Sequence, residues 1–221
     1  MVNAMDAATL DLFEIRVLAV MAEKEILTPD VYPMSLNSLT NGCNQVSSRN
    51  PVMSMSEATV QEVLDRLLAK KYVAEVKQAG ARVVKYEHRL RIKWSLEQDK
   101  LAILTILMLR GWQTAGEIRA RTGRLHEFSS VTEVERGLQF LIDKYPPIVA
   151  RLEVAPGSKE PRYAHLLAGE EGLAQQEVAA AYGGTVVASS VGGSLGEQVA
   201  QLREELAQLR QEFAEFRKQF E

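Results

Sequence analysis

The amino-acid sequence predicts a mainly α fold with small β wings (α+β), arranged as two tandem winged helix-turn-helix domains plus a C-terminal coiled-coil helix. A helix-rich segment ends in two short strand-like runs, residues 72–76 and 83–89, which are joined by a glycine turn. The same order returns at residues 148–154 and 162–167, around a Pro-Gly turn. This repeat predicts the two domains, and a heptad pattern over residues 195–221 predicts the coiled coil.

The 221 residues divide into four predicted segments. Residues 1–92 form the first winged-helix domain and residues 93–168 form the second. A linker rich in Gly, Ala and Ser, with a candidate short helix, follows at residues 169–194, and the coiled-coil helix occupies residues 195–221. Because a domain of about 80 residues buries only a small core, we expect the two domains to pack together or the chain to self-associate.

Capping signals predict the three helices of the first domain. Asp11 with Glu14 has the spacing of a capping box at the start of the first helix, and Ser35 and Ser56 begin the second and third helices. The polar residues 45–53 between these two helices are interpreted as a structured loop. The third helix carries a stripe of apolar residues at helical spacing, formed by Val60, Val63, Leu64, Leu67 and Leu68.

The second domain repeats these signals. Its first helix ends at Gly111, a residue type typical of helix C-termini. The predicted N-terminal pairs of its helices are Ser95 with Gln98, Thr114 with Glu117, and Ser130 with Glu133. The residues predicted to be buried on its third helix are Val131, Val134, Leu138, Leu141 and Ile142.

Apolar residues spaced alternately by four and three fill the a and d positions of the C-terminal heptad repeat. Glutamate at g and arginine at e would pair across a parallel homodimer, as Glu205 with Arg210. A trimer, a tetramer and a single amphipathic helix docked on the protein's own surface are the open alternatives. The predicted oligomerisation residues are Val199, Leu202, Leu206, Leu209, Phe213, Phe216 and Phe220.

The composition offers little support for catalysis or metal binding. The single cysteine, Cys43, excludes an internal disulfide, and three histidines make a zinc site improbable. Cys43 is interpreted as a buried structural thiol, and His88 and His165, which follow a tyrosine at equivalent places, as packing residues. No run approaches the roughly 18 apolar residues of a membrane span, and no secretory signal is visible. We expect a cytoplasmic protein that is not an enzyme and uses no cofactor or metal.

Double-stranded DNA is the partner that the repeated architecture favours, because the third helix of such a domain enters the major groove. The net charge of −3 and the acidic residues on both third helices argue against strong binding. A protein–protein interaction scaffold that does not bind DNA is therefore the alternative function. The predicted DNA-binding residues are Arg49, Asn50, Gln61, Lys77, Arg82, Lys85, Arg119, Arg121, Arg124, Lys159 and Arg162.

Several short motifs resemble the YceH-like family of bacterial proteins over about residues 10–168. The resemblance implies two winged-helix domains and no established biochemical function, and it supplies no catalytic residues. The heptad segment lies outside the shared region. The matching motifs are TPxxYPMSLN at residues 28–37, RxPVM at 49–53, RVxKYE at 82–87, LRGxQT at 109–114 and RYxHL at 162–166.

Overall fold

A computed structural model of the chain describes residues 9–77, 83–154, 159–169, 172–173 and 185–187. Internal contacts divide the chain into two compact units, Met1–Val187 and Ala188–Glu221. Every described residue belongs to the first unit, which combines α-helices with small sheets, so the predicted α+β class is confirmed. The predicted division into domains 1–92 and 93–168 stays a prediction. The coiled-coil segment and its oligomerisation residues, Val199, Leu202, Leu206, Leu209, Phe213, Phe216 and Phe220, lie outside the described residues.

Seven α-helices, a short 3-10 helix at Pro29–Val31 and seven short strands lie wholly within the described part of the chain, where residues 172–173 are helical as well. The helices are α1 Leu12–Leu27, α2 Leu36–Cys43, α3 Glu57–Ala69, α4 Leu90–Trp94, α5 Gln98–Arg110, α6 Ala115–Thr122 and α7 Val131–Ile142. The strands are β1 Met34–Ser35, β2 Val52–Ser54, β3 Val73–Val76, β4 Lys85–His88, β5 Val149–Arg151, β6 Tyr163–His165 and β7 Thr185–Val187.

Most of the predicted helix starts are confirmed because capping depends only on residues one turn apart. The backbone N–H of Glu14 donates to the Asp11 carboxylate at 2.8 Å, and the N–H of Asp11 donates to Glu14 at 2.8 Å. Thr114 with Glu117 forms the same reciprocal box at α6. Ser35 and Ser56 cap α2 and α3 as predicted.

Two of the predicted helix starts are wrong in detail. Ser95 does not cap α5: it takes a left-handed conformation (φ 51°) and ends α4, an additional helix that the sequence did not predict, while Glu97 precedes α5. Ser130 caps α7, but the Glu133 carboxylate accepts from Ser129 at 2.8 Å instead of closing a box. Val131 is exposed, not buried, because it is the first residue of α7 and precedes the face that packs.

The two halves of the described chain share one order of elements. In the first half β3 and β4 form an antiparallel ribbon, and β1 adds to β4 with Met34 opposite Tyr86, giving the strand order β1-β4-β3. In the second half β5 and β6 form the ribbon, and a single bridge between Gln113 and Tyr163 takes the place of β1. Each ribbon follows three helices of matching order, although β5 and β6 are shorter than predicted.

One strand contradicts the predicted linker. Thr185–Val187 lies within the segment 169–194, yet it forms β7 and pairs in parallel with β2. The linker prediction is therefore wrong at these residues, because Val-rich sequence can complete a strand when a partner edge is available. The neighbouring residues 174–184, which hold most of the predicted short helix, lie outside the described residues.

The two halves meet where α1 packs against α5. Both helices are buried on all sides: every residue from Glu14 to Glu23 and every residue from Leu101 to Leu109 is inaccessible or nearly so. Burial of each large aliphatic side chain contributes roughly 1.5–3 kcal/mol. A backbone hydrogen bond of 2.8 Å from Asn50 to the carbonyl of Leu109 also joins the halves.

A polar chain of contacts runs beside the α1–α5 contact. Glu25 at the end of α1 accepts from the Arg91 guanidinium at 3.0 Å and lies 3.4 Å from Nε2 of His88. Arg91 also donates to the side-chain oxygen of Gln98. The side-chain amide of Gln98 in turn donates to the carbonyl of Leu125 at 2.9 Å. Burial opposes ionisation of Glu25, but hydrogen bonds from His88 and Arg91 outweigh it and lower the pKa of Glu25 to about 2.

Close packing of α2 on α1 gives a first prediction. A Cβ added at Gly42 would lie 2.5 Å from Cγ1 of Val20, a stiff side chain that is fully buried. Gly42→Ala should destabilise the protein by about 1–3 kcal/mol, measured by denaturant unfolding. Gly116→Ala on α6 is the matched control, because its Cβ would meet only Thr114 at 3.8 Å. Equal unfolding free energies for the two variants would contradict this packing.

The lowered pKa of Glu25 gives a second prediction. Its charged form stabilises the fold above the usual carboxyl pKa of 4.5, and that stabilisation is lost as the pH falls toward about 2. Glu25→Gln should therefore be clearly less stable than wild type near neutral pH, and the difference should shrink as the pH is lowered through this range. The exposed Glu62→Gln is the control and should show no such trend. A pH-independent difference for Glu25→Gln would refute the assignment.

Candidate nucleic-acid interface

The third helix of the first half presents mainly acidic groups to solvent. Its two cations are held by carboxylates from the start of α1: Arg66 donates to Asp11 at 2.8 Å, and Lys70 donates to Glu14 at 2.8 Å. The predicted reader Gln61 is partly buried and donates to Asp65 at 2.8 Å. Positive charge that is already paired does little to neutralise phosphate, so this helix face is poorly suited to bind DNA.

The equivalent helix α7 is also mixed in charge. Glu135 and Arg136 are both exposed, and Gln139 donates to Asp143 at 2.7 Å. The ammonium of Lys144 lies 4.4 Å from the centre of the Phe140 ring, a cation–π contact on the same helix end. α7 therefore offers one unpaired arginine beside a glutamate.

Arg49 has a structural role that excludes it from a DNA interface. Its side chain is 0% exposed and donates to both carboxylate oxygens of Glu23, at 3.0 and 2.6 Å, and to the carbonyl of Gly42 at 3.2 Å. A buried guanidinium cannot reach a phosphate on the surface. The neighbouring Asn50 is partly buried, and its backbone N–H donates to the carbonyl of Leu109.

A second buried arginine, which the sequence analysis did not select, lies beside this pair. Arg16 on α1 donates to the carbonyls of Cys43 and Pro51, at 3.3 and 2.6 Å, and so ties the loop after α2 to the core. Burial and the charge of Arg49 lower the pKa of Arg16 to about 10. The only sequence signal for this role is a charged residue inside an otherwise apolar run. Cys43 is buried and free, as predicted, and burial raises its pKa to about 12.

The predicted wing cations of the first half remain near the surface. Lys77 is 74% exposed and lies 3.0 Å from Glu75, which is a weak pair in water. Lys85 is half-buried on β4. The third predicted wing residue, Arg82, lies outside the described residues.

More of the predicted cations are exposed in the second half than in the first. Arg119, however, is bound to backbone carbonyls of the protein. Arg119 donates to the carbonyls of Phe128 and Ser129, at 3.2 and 3.0 Å. The remaining predicted residues of this half, Arg121, Arg124, Lys159 and Arg162, are exposed.

Two of these arginines meet at one carboxylate. Arg121 lies 3.5 Å from Glu117 within α6, and Arg162, which precedes β6, lies 3.8 Å from the same carboxylate. Arg121 also donates to the side-chain oxygen of Gln113 at 2.6 Å, and Arg162 donates to the carbonyl of Trp112 at 3.1 Å. The fold thus brings together residues from α6, the end of α5 and the start of β6.

His88 and His165 are both buried inside the fold. Nδ1 of His88 accepts from the backbone N–H of Leu90 at 3.2 Å, and the backbone N–H of His88 donates to the Tyr32 hydroxyl at 2.8 Å. His165 is buried, and burial lowers its pKa to about 4. Within the described ranges no group of three His, Cys, Asp or Glu residues is arranged to hold a metal ion. The helices in those ranges include none that is long and apolar enough to cross a membrane.

Comparison with known proteins places the chain in a family. The family described as "Protein of unknown function, DUF480" matches residues 10–158, so the chain belongs to it, and the resemblance to the YceH-like family is confirmed. A UPF0502 protein of Herminiimonas arsenicoxydans is 64% identical over 195 residues, which cover 88% of this chain and 81% of that protein. A UPF0502 protein of Janthinobacterium sp. (strain Marseille) is 72% identical over 156 residues, which cover 71% of this chain and 67% of that protein. A UPF0502 protein of Chromobacterium violaceum is 54% identical over 168 residues, which cover 76% of each chain.

The buried ion pair gives a third prediction. Arg49→Ala would leave the Glu23 carboxylate buried without its partner, so the variant should be destabilised by about 3–5 kcal/mol. Arg124→Ala removes the same charge from an exposed position and should change the unfolding free energy by less than about 0.5 kcal/mol. Similar stabilities for the two variants would show that Arg49 is accessible to solvent.

Proposed function

We propose that the chain is a non-enzymatic tandem winged-helix protein that binds double-stranded DNA and self-associates through residues 195–221. The observation that carries this proposal is the repeated order of elements. In each half three helices precede a two-stranded ribbon, and a residue two positions before the second helix pairs with the ribbon, as Met34 with Tyr86 and Gln113 with Tyr163. In winged-helix proteins this order makes the second and third helices a helix-turn-helix and the ribbon a wing.

The distribution of charge supports binding through phosphate contacts instead of base contacts. The exposed faces of α3 and α7 carry carboxylates, which would be repelled in the major groove. The predicted phosphate contacts that are exposed lie on the first wing, on α6 and the turn after it, and beside β6. Because phosphate contacts carry no direct sequence information, we expect weak sequence preference and a strong dependence on salt.

Salt titration tests this proposal. Fluorescence anisotropy of a labelled duplex between about 50 and 200 mM salt should give a log–log slope of roughly −3 to −5, since each phosphate contact contributes about 0.9. Lys77→Gln on the wing should reduce the magnitude of that slope by about 0.9. Glu127→Gln, at an exposed residue that is not a predicted phosphate contact, should not reduce it. Failure of the wild-type chain to bind duplex DNA at the low-salt limit would refute the function.

A protein–protein scaffold is the second candidate, and the surface of α3 favours it. Glu57, Glu62 and Asp65 are exposed, while the two cations of the helix are held by α1. This face would suit a partner with a basic surface. A stoichiometric partner recovered after nuclease treatment should be lost from a Glu62→Lys, Asp65→Lys variant and retained by Glu127→Lys. Retention of the partner by all variants would exclude α3 as the docking face.

A further inference from the structure

The turn after α5 has Gly111 at its centre, with Arg110 before the glycine and Trp112 after it. Gly111 ends α5 with φ 72°, a conformation that glycine adopts at little cost. The next residues run against the second ribbon, because Gln113 and Tyr163 exchange two backbone hydrogen bonds of 3.1 and 2.8 Å. The backbone of the turn that follows Arg110 is therefore held next to β6.

Three arginines converge on this turn. Arg162 reaches it from the start of β6 through the carbonyl of Trp112, and Arg121 reaches it from α6 through the side chain of Gln113. Arg110 belongs to the turn itself, and its pKa is lowered by burial and by the nearby charge of Arg121.

Among the described residues, the one carboxylate paired with these arginines is Glu117. The charges of Arg121 and Arg162 against the one carboxylate of Glu117 leave an excess of one positive charge, and Arg110 lies within electrostatic range of Arg121 as well as of Arg49 and Glu23.

The cluster also has more hydrogen-bond donors than acceptors. Nε of Arg110 and Nε1 of Trp112 are buried, and no acceptor contacts them within the described part of the chain. Buried donors without acceptors are costly, at about 1–3 kcal/mol each. The side chains of Arg121 and Arg162 are 33% and 44% exposed, so the cluster is open to solvent. Several guanidinium forks facing one region suit phosphate, which accepts paired N–H donors.

We propose that Arg110, Arg121 and Arg162 form a phosphate-binding site at the Gly111 turn, and that its ligand is the phosphodiester backbone of duplex DNA. This proposal rests on the proposed function for the choice of ligand, but the site itself is defined by the arginine cluster. Arg121 and Arg162 are predicted separately from the sequence as phosphate contacts. Arg110 was not selected, because the last residue of an apolar helix gives no sign of which surface it joins.

Trp112 provides a local reporter for the test. In the ¹⁵N-labelled full chain, the indole N–H resonance of Trp112 is assigned by comparison with Trp94→Phe, because the chain has two tryptophans. Inorganic pyrophosphate and a duplex DNA are titrated separately. Each should shift the Trp112 resonance, and Arg121→Gln and Arg162→Gln should each weaken the apparent affinity by about tenfold. Arg136→Gln removes the same charge from exposed α7 and should leave both affinities unchanged.

The outcomes separate the site from the function. An unmoved Trp112 resonance with both probes, or an equal effect of Arg136→Gln, overturns the site. Duplex binding that survives Arg121→Gln and Arg162→Gln unchanged also overturns the site, while the proposed function stands. Pyrophosphate binding without duplex binding supports the site and overturns DNA as its ligand. Thermal unfolding identifies a variant that does not fold, and the other arginine variant then decides the result.

Discussion

The burial of α1 against α5 is the constraint on which the rest of the described structure depends. Each of these helices is the first of its half, and each is covered on all sides by its own half and by the other helix. Removing both helices from water gives the small halves a shared apolar core, which neither would have alone. Their contact therefore explains why residues from both halves lie in one compact unit.

Burying α1 has an electrostatic consequence, because the helix carries charged residues that must be paired inside the protein. Glu14 takes Lys70, Glu23 takes Arg49, and Arg16 uses two backbone carbonyls. Lys70, Arg49 and Arg16 are thus committed to the fold, whereas Lys77 on the wing stays exposed. The arginines Arg121 and Arg162 of the second half instead share the partly exposed carboxylate of Glu117.

Local patterns were predicted well, and their exceptions are instructive. The capping of α1 and α6 follows from residues three positions apart, so the sequence contains all the information needed. Ser95 has the same spacing to Gln98, yet the chain is still finishing α4 at that point, and α5 begins three residues later, after Glu97. A capping residue can begin a helix only where the preceding chain is extended, and that depends on how Leu90 and its neighbours pack.

The sequence by itself determined the order of helices and ribbons, the apolar faces and most of the caps, since periodicity and capping act within one or two turns. The tertiary structure alone decided which charges are buried, that β7 joins β2, and that Arg121 and Arg162 both reach the turn after α5. These features join residues far apart in the chain: Arg49 and Glu23 are 26 positions apart, and Arg162 and Trp112 are 50 apart. No local pattern specifies such partners, because they are set by the packing of whole helices.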